Sequence, residues 1–498
     1  MSVPKTCFAA SDLDWFAAIG HDTNPLHLDA EYAHKSAFGD RVVHGVLAAM
    51  TTLQRLPARA GQRLRKIVFE FPRPIFCGVE YAINVEPIGE TRSALRLVDG
   101  SMLLVRGMAE MAEGAALPLA PGLFEAHVEP RPARRTRDED LVAGTRLDLP
   151  YGLTAHACRE LEERYGLASR GIGPWEASIL LGTSYIVGMH LPGERALFSR
   201  LELTFSDDVR PVKPLSFTCV VKGFDTRMNL LRVNLEARSG DDVVARGELA
   251  AFARRSAAAS ERTPVSIGAS ADLAGKVALV IGGSRGLGAS LALAMAARGA
   301  AVLVSFAKSE AEARELESLG RTLPGSIELL QGDGGDPEWC ERVRSELAAR
   351  YGRIDFLFCN ASPALRPLWL EPSARDRIYE YVSRSLELVG TPLMAFVGSM
   401  KEDGWIVTTS SIAVREPVAE WPHYVAAKQA IEGLVNVASR EYPKLNFLVT
   451  RPPRLLTDFA PNLGAAQSAL PPERVADVIV RRLTGPQAKG RVETLEEM

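Results

Sequence analysis

The chain predicts an α+β region followed by an α/β unit that is built on a doubly wound parallel sheet. Two blocks of alternating strands, 66–110 and 200–252, each follow an apolar helical stretch, which is typical of an antiparallel sheet packed on a helix. Further on, the apolar run Val277–Ile281 leads into a glycine-rich turn and then into strong helix formers, which is typical of a parallel sheet.

Changes in composition divide the chain into five segments. Residues 114–140 are rich in proline and charge, and residues 254–271 are small and polar, so both are interpreted as linkers. They separate a first α+β domain at 1–113, a second at 141–253 and an α/β domain at 272–498. The basic run inside the first linker is interpreted as a solvated surface, with docking of a carrier protein as the alternative.

Composition excludes several classes of function. The 498 residues carry a net charge of −3, which argues against a nucleic-acid partner. The six cysteines form no C-x-x-C pair, so neither a metal site nor a disulfide framework is predicted. No apolar run approaches membrane-spanning length, and no secretion signal is evident at the N-terminus, so we expect a cytoplasmic protein without a membrane partner.

The glycine-rich turn has the features of a dinucleotide-binding site. Gly282 permits a tight turn, Gly286 allows the backbone to approach a pyrophosphate, and Gly288 allows the helix to pack on the strand. Free N–H groups at the start of the helix can then hold the anion. Ser284 and Leu287 belong to the same predicted cofactor-binding turn.

A second pattern downstream supplies acid–base chemistry. Tyr424 and Lys428 are spaced to share one helix face, and an ammonium beside a phenol is expected to lower the phenol pKa. Ser411 follows a predicted strand. In this order, the glycine turn, the serine and the Y-x-x-x-K pair resemble the short-chain dehydrogenase/reductase family, from about Leu273 to the C-terminus. The resemblance implies a Rossmann-type fold with Ser411, Tyr424 and Lys428 as catalytic residues, and with Tyr424 and Lys428 also contacting the cofactor.

Other features of this domain agree with the resemblance, and two depart from it. Asp333 and Asn360 stand at cofactor-binding positions of the family, and Pro452 and Thr457 match its P-G-x-x-x-T segment. Ile281 replaces a usual threonine of the glycine motif. At the position of the family's catalytic asparagine, which holds a water of the proton relay, this chain has glutamate, Glu387.

The charges near the cofactor-binding turn predict NADP(H) as the cofactor. The acidic residue that NAD-binding members carry after the second strand is missing, and Lys308 lies nearby. Arg285 precedes the second glycine of the motif. A 2′-phosphate needs such cationic partners.

The first domain contains a second candidate site. Asp22 and His27 lie in the string D-x-N-P-L-H, where a carboxylate and an imidazole can share one water. With Phe38-Gly39 and His44-Gly45, residues 13–110 resemble the MaoC-like hot-dog hydratases and dehydratases specific for (R)-hydroxyacyl thioesters. The resemblance implies that Asp22 and His27 are catalytic and that the Gly45 N–H, at a helix start, binds the thioester oxygen.

The segment 141–253 has the same order of elements as the first domain but lacks the motif. Strands at 200–205, 215–221, 230–237 and 243–252 follow a candidate central helix at 175–190, which predicts a second, degenerate hot-dog. We therefore predict a double hot-dog with one dehydratase site per chain.

Three functions are open at this stage. The first is reduction of a 3-oxoacyl thioester followed by dehydration, as in fatty-acid or polyketide biosynthesis; the second is the reverse, degradative direction. In the third, one half is a non-catalytic binding module. The glutamate at position 387, in place of the family's asparagine, suggests that this would be the reductase half. The expected partners are an acyl thioester on a carrier protein or coenzyme A and a second copy of the chain, paired through the reductase domain.

Overall fold

The computed structural model describes residues 3–36, 38–58, 61–114, 128, 131–206, 213–254, 270–455, 469–485 and 492–496. The chain forms two compact units, Met1–Ser256 and Ala257–Met498. Most of both predicted linkers, including 115–127 and 255–269, lies outside the described residues, as does Thr457.

The N-terminal unit contains two successive series of helices and strands. The first series is β1 (Lys5–Cys7), α1 (Ala10–Gly20), α2 (Pro25–Leu28), α3 (Ala30–Lys35), α4 (Gly45–Leu53), β2 (Gln62–Glu70), β3 (Glu80–Ile88), β4 (Arg92–Asp99) and β5 (Met102–Glu113). The second is β6 (Arg146–Tyr151), α5 (Ala155–Tyr165), α6 (Pro174–Tyr185), a π-helical turn (Ile186–His190), β7 (Ala196–Phe205), β8 (Leu215–Asp225), β9 (Leu230–Ser239) and β10 (Asp242–Ala253).

These strands form one sheet whose two halves have the same internal order. The order is β1-β3-β4-β5-β2-β7-β10-β9-β8-β6, so β6 to β10 repeat the order of β1 to β5 outward from the centre. The halves join where β2 pairs antiparallel with β7, from Lys66 opposite Thr204 to Glu70 opposite Arg200. The internal repeat that the strand pattern predicts is therefore present in the sheet topology.

Each half packs its sheet against one apolar helix. All residues of α4 after Gly45 are buried, and so are all residues of α6 after Pro174. A helix that is apolar on every face is stable only where other elements surround it. The predicted central helix at 175–190 is confirmed, except that its last turn is a π-helix.

The loop that precedes the first central helix is more helical than its polar sequence suggests. The polar stretch 20–27 ends in helix α2, because Pro25 occupies the first turn and the Asn24 side chain accepts a hydrogen bond from the Leu26 N–H. Helix α3 begins at Ala30, because Asp29 caps it.

The C-terminal unit alternates strands and helices. Its elements are β11 (Val277–Ile281), α7 (Gly286–Ala297), β12 (Ala301–Phe306), α8 (Glu310–Gly320), β13 (Ser326–Gln331), α9 (Pro337–Tyr351), β14 (Ile354–Cys359), α10 (Arg375–Phe396), β15 (Met400–Thr409), α11 (Pro422–Glu441), β16 (Asn446–Thr450), α12 (Pro472–Thr484) and β17 (Val492–Leu495).

The predicted doubly wound parallel sheet is confirmed. The seven strands lie in the order β13-β12-β11-β14-β15-β16-β17, and every neighbouring pair is parallel. Side chains of β11 alternate between the two faces: Ala278 and Val280 belong to one core, and Val277, Leu279 and Ile281 to the other. Ile281 is fully buried, so the residue that departs from the family motif serves this core.

Among the described residues, no helix is both long and apolar enough to cross a membrane.

Candidate active sites

Asp22 lies in the loop between α1 and α2 and is almost completely buried. Its carboxylate accepts a hydrogen bond from the Ser184 hydroxyl at 2.6 Å and one from the Asn24 N–H at 3.3 Å. Burial is the dominant influence and raises the pKa of Asp22 to about 7, although both hydrogen bonds lower it. This carboxyl group can therefore hold a proton near neutral pH.

His27 lies on α2 and has the opposite electrostatic character. Its Nδ1 is 2.6 Å from the Val42 carbonyl oxygen, so that nitrogen carries the hydrogen and Nε2 keeps its lone pair. Burial lowers the pKa of His27 to about 4. Asp22 and His27 thus form a proton donor and a neutral base, which is the pairing that divergent pKa values indicate.

His44 holds the two groups together from the N-cap of α4. Its Nε2 donates to the Asp22 carbonyl oxygen at 3.1 Å, and its ring stacks on the His27 ring with centroids 3.8 Å apart. One oxygen of Asp22 and one nitrogen of each histidine lie within 4.8 Å of one another. The two rings are inclined by 30°. The three side chains therefore lie close enough together to contact one shared water.

Gly45 begins helix α4, at the position predicted to bind the thioester oxygen. His44 supplies no side-chain cap there, so the N–H groups of the first turn remain available for a ligand. A Cβ at Gly45 would lie 3.2 Å from the Phe71 ring. The fold thus brings Asp22, His27 and Gly45 to one place.

The second half of the N-terminal unit also contributes to this site. Ser184 lies on α6, and a Cβ at Gly188 would lie 2.2 Å from the Asp22 Oδ1 atom. The Asn24 amide donates to the carbonyl oxygens of Gly188, at 2.8 Å, and Gly193, at 3.0 Å. The sequence interpretation missed Ser184; its only signal was a hydroxyl within a largely apolar helix.

In the C-terminal unit, the glycine turn has the shape that a pyrophosphate requires. Gly282 has a φ of +75°, and its N–H donates to the Ser305 hydroxyl at 3.0 Å. A Cβ at Gly288 would lie 2.3 Å from the Gly282 carbonyl oxygen, so only glycine allows this packing of helix on strand. Helix α7 begins at Gly286 without a side-chain cap from Arg285. The uncapped helix start fits a dinucleotide phosphate.

The other predicted cofactor-binding residues lie around the carboxyl ends of the strands. The Asn360 amide donates to the Gly282 carbonyl oxygen at 2.9 Å and accepts from Thr409 at 3.1 Å. Asp333 forms an ion pair with Arg384. Ser284 and Leu287 are buried, Arg285 is half-buried, and Lys308 is exposed just beyond the end of β12.

Ser411, Tyr424 and Lys428 come together as predicted, but the pKa of the tyrosine differs from the expectation. Burial raises the pKa of Tyr424 above its ordinary value, and a hydrogen bond with Ser411 lowers it in part. The Lys428 ammonium lies 5.6 Å from the centre of the Tyr424 ring and donates to the Thr409 carbonyl oxygen at 2.8 Å. The lysine therefore does not produce the expected lowering in this arrangement.

Glu387 does not occupy the role of the asparagine that it replaces. It lies on α10 with its side chain half exposed. Its carboxylate accepts from Ser383 at 3.2 Å and from Arg384 at 3.1 Å. Both partners lie on the same helix, so this carboxylate is committed to local contacts.

Two parts of this chain match models of known protein families. Residues 3–100 match the family model of the MaoC like domain, and residues 276–467 match that of the short chain dehydrogenase. The chain carries both domains. The resemblances inferred from the two sets of motifs are confirmed.

The short-chain dehydrogenase domain has curated relatives in fungi. A short-chain dehydrogenase/reductase of Cladobotryum is 33% identical over 175 residues, which cover 33% of this chain and 64% of that protein. Versicolorin reductase 1 of Aspergillus parasiticus is 33% identical over 169 residues, with 33% of this chain and 62% of the relative covered. The chain thus spans less than two thirds of the length of either relative.

Solved structures also resemble the short-chain dehydrogenase domain. A short chain dehydrogenase of Burkholderia cenocepacia, solved in complex with NADP, is 28% identical, with a TM-score of 0.41. The match covers 45% of this chain and 97% of that structure. An alcohol dehydrogenase of Thermococcus sibiricus, complexed with 5-hydroxy-NADP, is 26% identical, with a TM-score of 0.41, and covers 44% of this chain and 95% of its own.

The close approach of Gly188 to Asp22 generates a prediction. In Gly188→Ala, the new methyl group would displace the carboxylate, so dehydration of a 3-hydroxyacyl thioester should fall about a hundredfold, the scale of a 1 Å misplacement. Gly223→Ala is the matched control, because a Cβ there meets no atom within 4 Å. Initial rates of both variants and their thermal midpoints give the comparison; equal rates in the two variants would show that the carboxylate position is unimportant.

Proposed function

We propose that the chain is a bifunctional enzyme of acyl-thioester metabolism. The C-terminal domain reduces a 3-oxoacyl thioester with NADPH, and the N-terminal unit, a double hot-dog, removes water from the resulting 3-hydroxyacyl thioester. The observation that carries the proposal is that one chain contains both the buried Asp22–His27 pair and the Ser411–Tyr424–Lys428 set. The product of the second set is the substrate of the first, which makes their fusion chemically coherent.

In the dehydration step, the divergent pKa values support one assignment of the two roles that the sequence leaves open. His27 removes the C2 proton through its free Nε2, because its imidazole stays neutral. Asp22, protonated near neutral pH, gives its proton to the departing C3 hydroxyl, so that water leaves and a C2–C3 double bond forms. The Gly45 N–H stabilises the negative charge on the thioester oxygen.

In the reduction step, the glycine turn at Gly282–Gly288 would hold a dinucleotide, which when bound would provide the hydride that C3 of the 3-oxoacyl group requires. The Tyr424 hydroxyl donates a proton to the developing alkoxide. Ser411 hydrogen-bonds the same oxygen and orients the carbonyl. Lys428 would hold the ribose of a bound dinucleotide, and it provides positive charge beside the tyrosine.

The cationic side chains near the turn support NADP(H) over NAD(H). Lys308 is exposed beyond β12, and Arg285 is the residue directly before the start of α7. No acidic residue stands between Ser305 and Lys308 to repel a 2′-phosphate.

Cofactor preference is testable by titration. We expect the protein to bind NADPH at least about tenfold more tightly than NADH, and Lys308→Ala to narrow that ratio, because a cationic partner of the phosphate is lost. Lys444→Ala is the control, since Lys444 is an exposed lysine that pairs with Glu402 before β16. Fluorescence titration measures both constants; NADH binding as tight as NADPH binding would contradict the assignment.

The two activities should be separable by mutation. Tyr424→Phe should abolish NADPH-dependent reduction and leave dehydration intact. Asp22→Asn and His27→Ala should each lower dehydration at least about a hundredfold and leave reduction unchanged. Mass spectrometry of products from 3-oxoacyl thioesters, on coenzyme A and on a carrier protein, separates the two steps.

Isotope exchange locates the dehydratase chemistry directly. When the enoyl thioester is incubated in water that carries an oxygen label, the labelled oxygen should be added at C3 by the wild-type protein but not by Asp22→Asn. Equal incorporation by both proteins would leave the N-terminal unit as an acyl-binding module.

The pH dependence of dehydration tests whether Asp22 and His27 are the groups that titrate in this site. Dehydration needs a neutral His27 and a protonated Asp22, so its rate should rise through pH of about 4 and fall through about 7. Ser184→Ala removes a hydrogen bond that lowers the pKa of Asp22, so the upper limb should move to higher pH. Ser178→Ala, on the same helix, is the control. An upper limb that stays in place or moves to lower pH would show that Asp22 is not the group that titrates there.

A further inference from the structure

We propose that Glu432 is a positioning residue of the reductase site, which keeps the Lys428 ammonium charged and in place. The inference rests on the proposed reductase function and adds to it a residue outside the Ser411–Tyr424–Lys428 set. Glu432 lies four residues after Lys428 on α11, so the two side chains share one helix face.

Lys428 is in an environment that opposes its charge. The side chain is buried, and its Nζ donates to the Thr409 carbonyl oxygen at 2.8 Å. Burial lowers the pKa of Lys428 to about 8, and the charge of Glu432 raises it. Without a carboxylate nearby, the buried ammonium would lose its proton at a still lower pH.

Glu432 is itself held as an ionised and ordered group. It accepts from the Ser410 hydroxyl at 2.5 Å and from Arg451 Nε at 2.9 Å and Nη2 at 2.5 Å. Ser410 directly follows Thr409, whose carbonyl binds the lysine, and directly precedes Ser411. One rigid segment therefore connects the carboxylate, the lysine and the catalytic serine.

Among the charged groups near Lys428, Glu432 is the carboxylate that raises the pKa of the lysine. Arg451 also contacts Glu496 at 2.6 Å, and Glu496 contacts Arg415 at 2.8 Å. Tyr424, one turn before Lys428, is neutral because burial raises its pKa. Glu387 is bound by Ser383 and Arg384 on α10.

The test is the pH profile of the full-length protein with NADPH and acetoacetyl-coenzyme A. In the wild type, reduction and NADPH binding should be present below about pH 8 and decline above it, as Lys428 loses its proton. In Glu432→Gln, the alkaline limbs of kcat/KM and of NADPH affinity should both move down by about one pH unit, the scale for losing one nearby opposite charge. Glu432→Asp keeps the charge and should restore the wild-type limb.

Controls separate this role from a structural one. Glu441→Gln, at the exposed end of α11, should leave the profile unchanged. If Glu432→Gln does not fold, the double variant Glu432→Gln/Arg451→Met removes both members of the ion pair and should show a downward shift that is smaller, because the loss of the Arg451 charge partly offsets it. An unmoved limb in a folded variant, or a shift in Glu432→Asp equal to that in Glu432→Gln, overturns the inference. Failure of the wild-type protein to reduce the substrate or bind NADPH would refute the proposed function instead.

Discussion

The cost of burying ionisable side chains determines the character of both sites. Raising the pKa of Asp22 to about 7 corresponds to roughly 4 kcal/mol against the charged carboxylate. Because this folded-state pKa lies above the unfolded value, the associated stability is present at low pH and is lost as pH rises through about 7. Burial also lowers the pKa of His27 to about 4, which keeps its imidazole neutral at neutral pH. It likewise lowers the pKa of Lys428, to about 8.

Such groups need rigid partners, and the repeated sheet provides them for Asp22. The β2–β7 seam joins two series of elements into one sheet, and α6 of the second series presents Ser184 to the carboxylate. The absence of a side chain at Gly188 leaves room for the aspartate. The second series of elements lacks the D-x-N-P-L-H string, yet it provides a hydrogen bond to Asp22 and the space that the aspartate occupies.

The sequence predicts much of this architecture because its signals are local. Strand alternation locates β2 to β5 and β7 to β10, and the strand–glycine–helix pattern locates β11 and α7. The strings around His27 and Tyr424 depend on a few residues in fixed order, so their chemistry can be inferred before the fold is known. The helical turn at Pro25 is harder to infer, because it depends on capping by Asn24 inside a polar stretch.

What the sequence could not predict are contacts between residues far apart in the chain. Ser184 lies 162 positions from Asp22, and its hydrogen bond follows from the pairing of two half-sheets. The higher pKa of Tyr424 has a similar origin: the Y-x-x-x-K spacing predicts proximity of the lysine, whereas burial by surrounding elements dominates the outcome.

Glu387 and Glu432 show why position in three dimensions outweighs residue type. Both are glutamates of the same domain, and alignment of motifs draws attention to Glu387, because it replaces an asparagine. Yet Glu387 is half exposed and bound to neighbours on its own helix. Glu432 is largely buried between Ser410 and Arg451, and its charge acts on Lys428. In a low-dielectric interior a charge acts strongly on its neighbours, whereas water screens an exposed one. The glutamate at the position that the resemblance assigns to an asparagine therefore places no competing charge against the lysine.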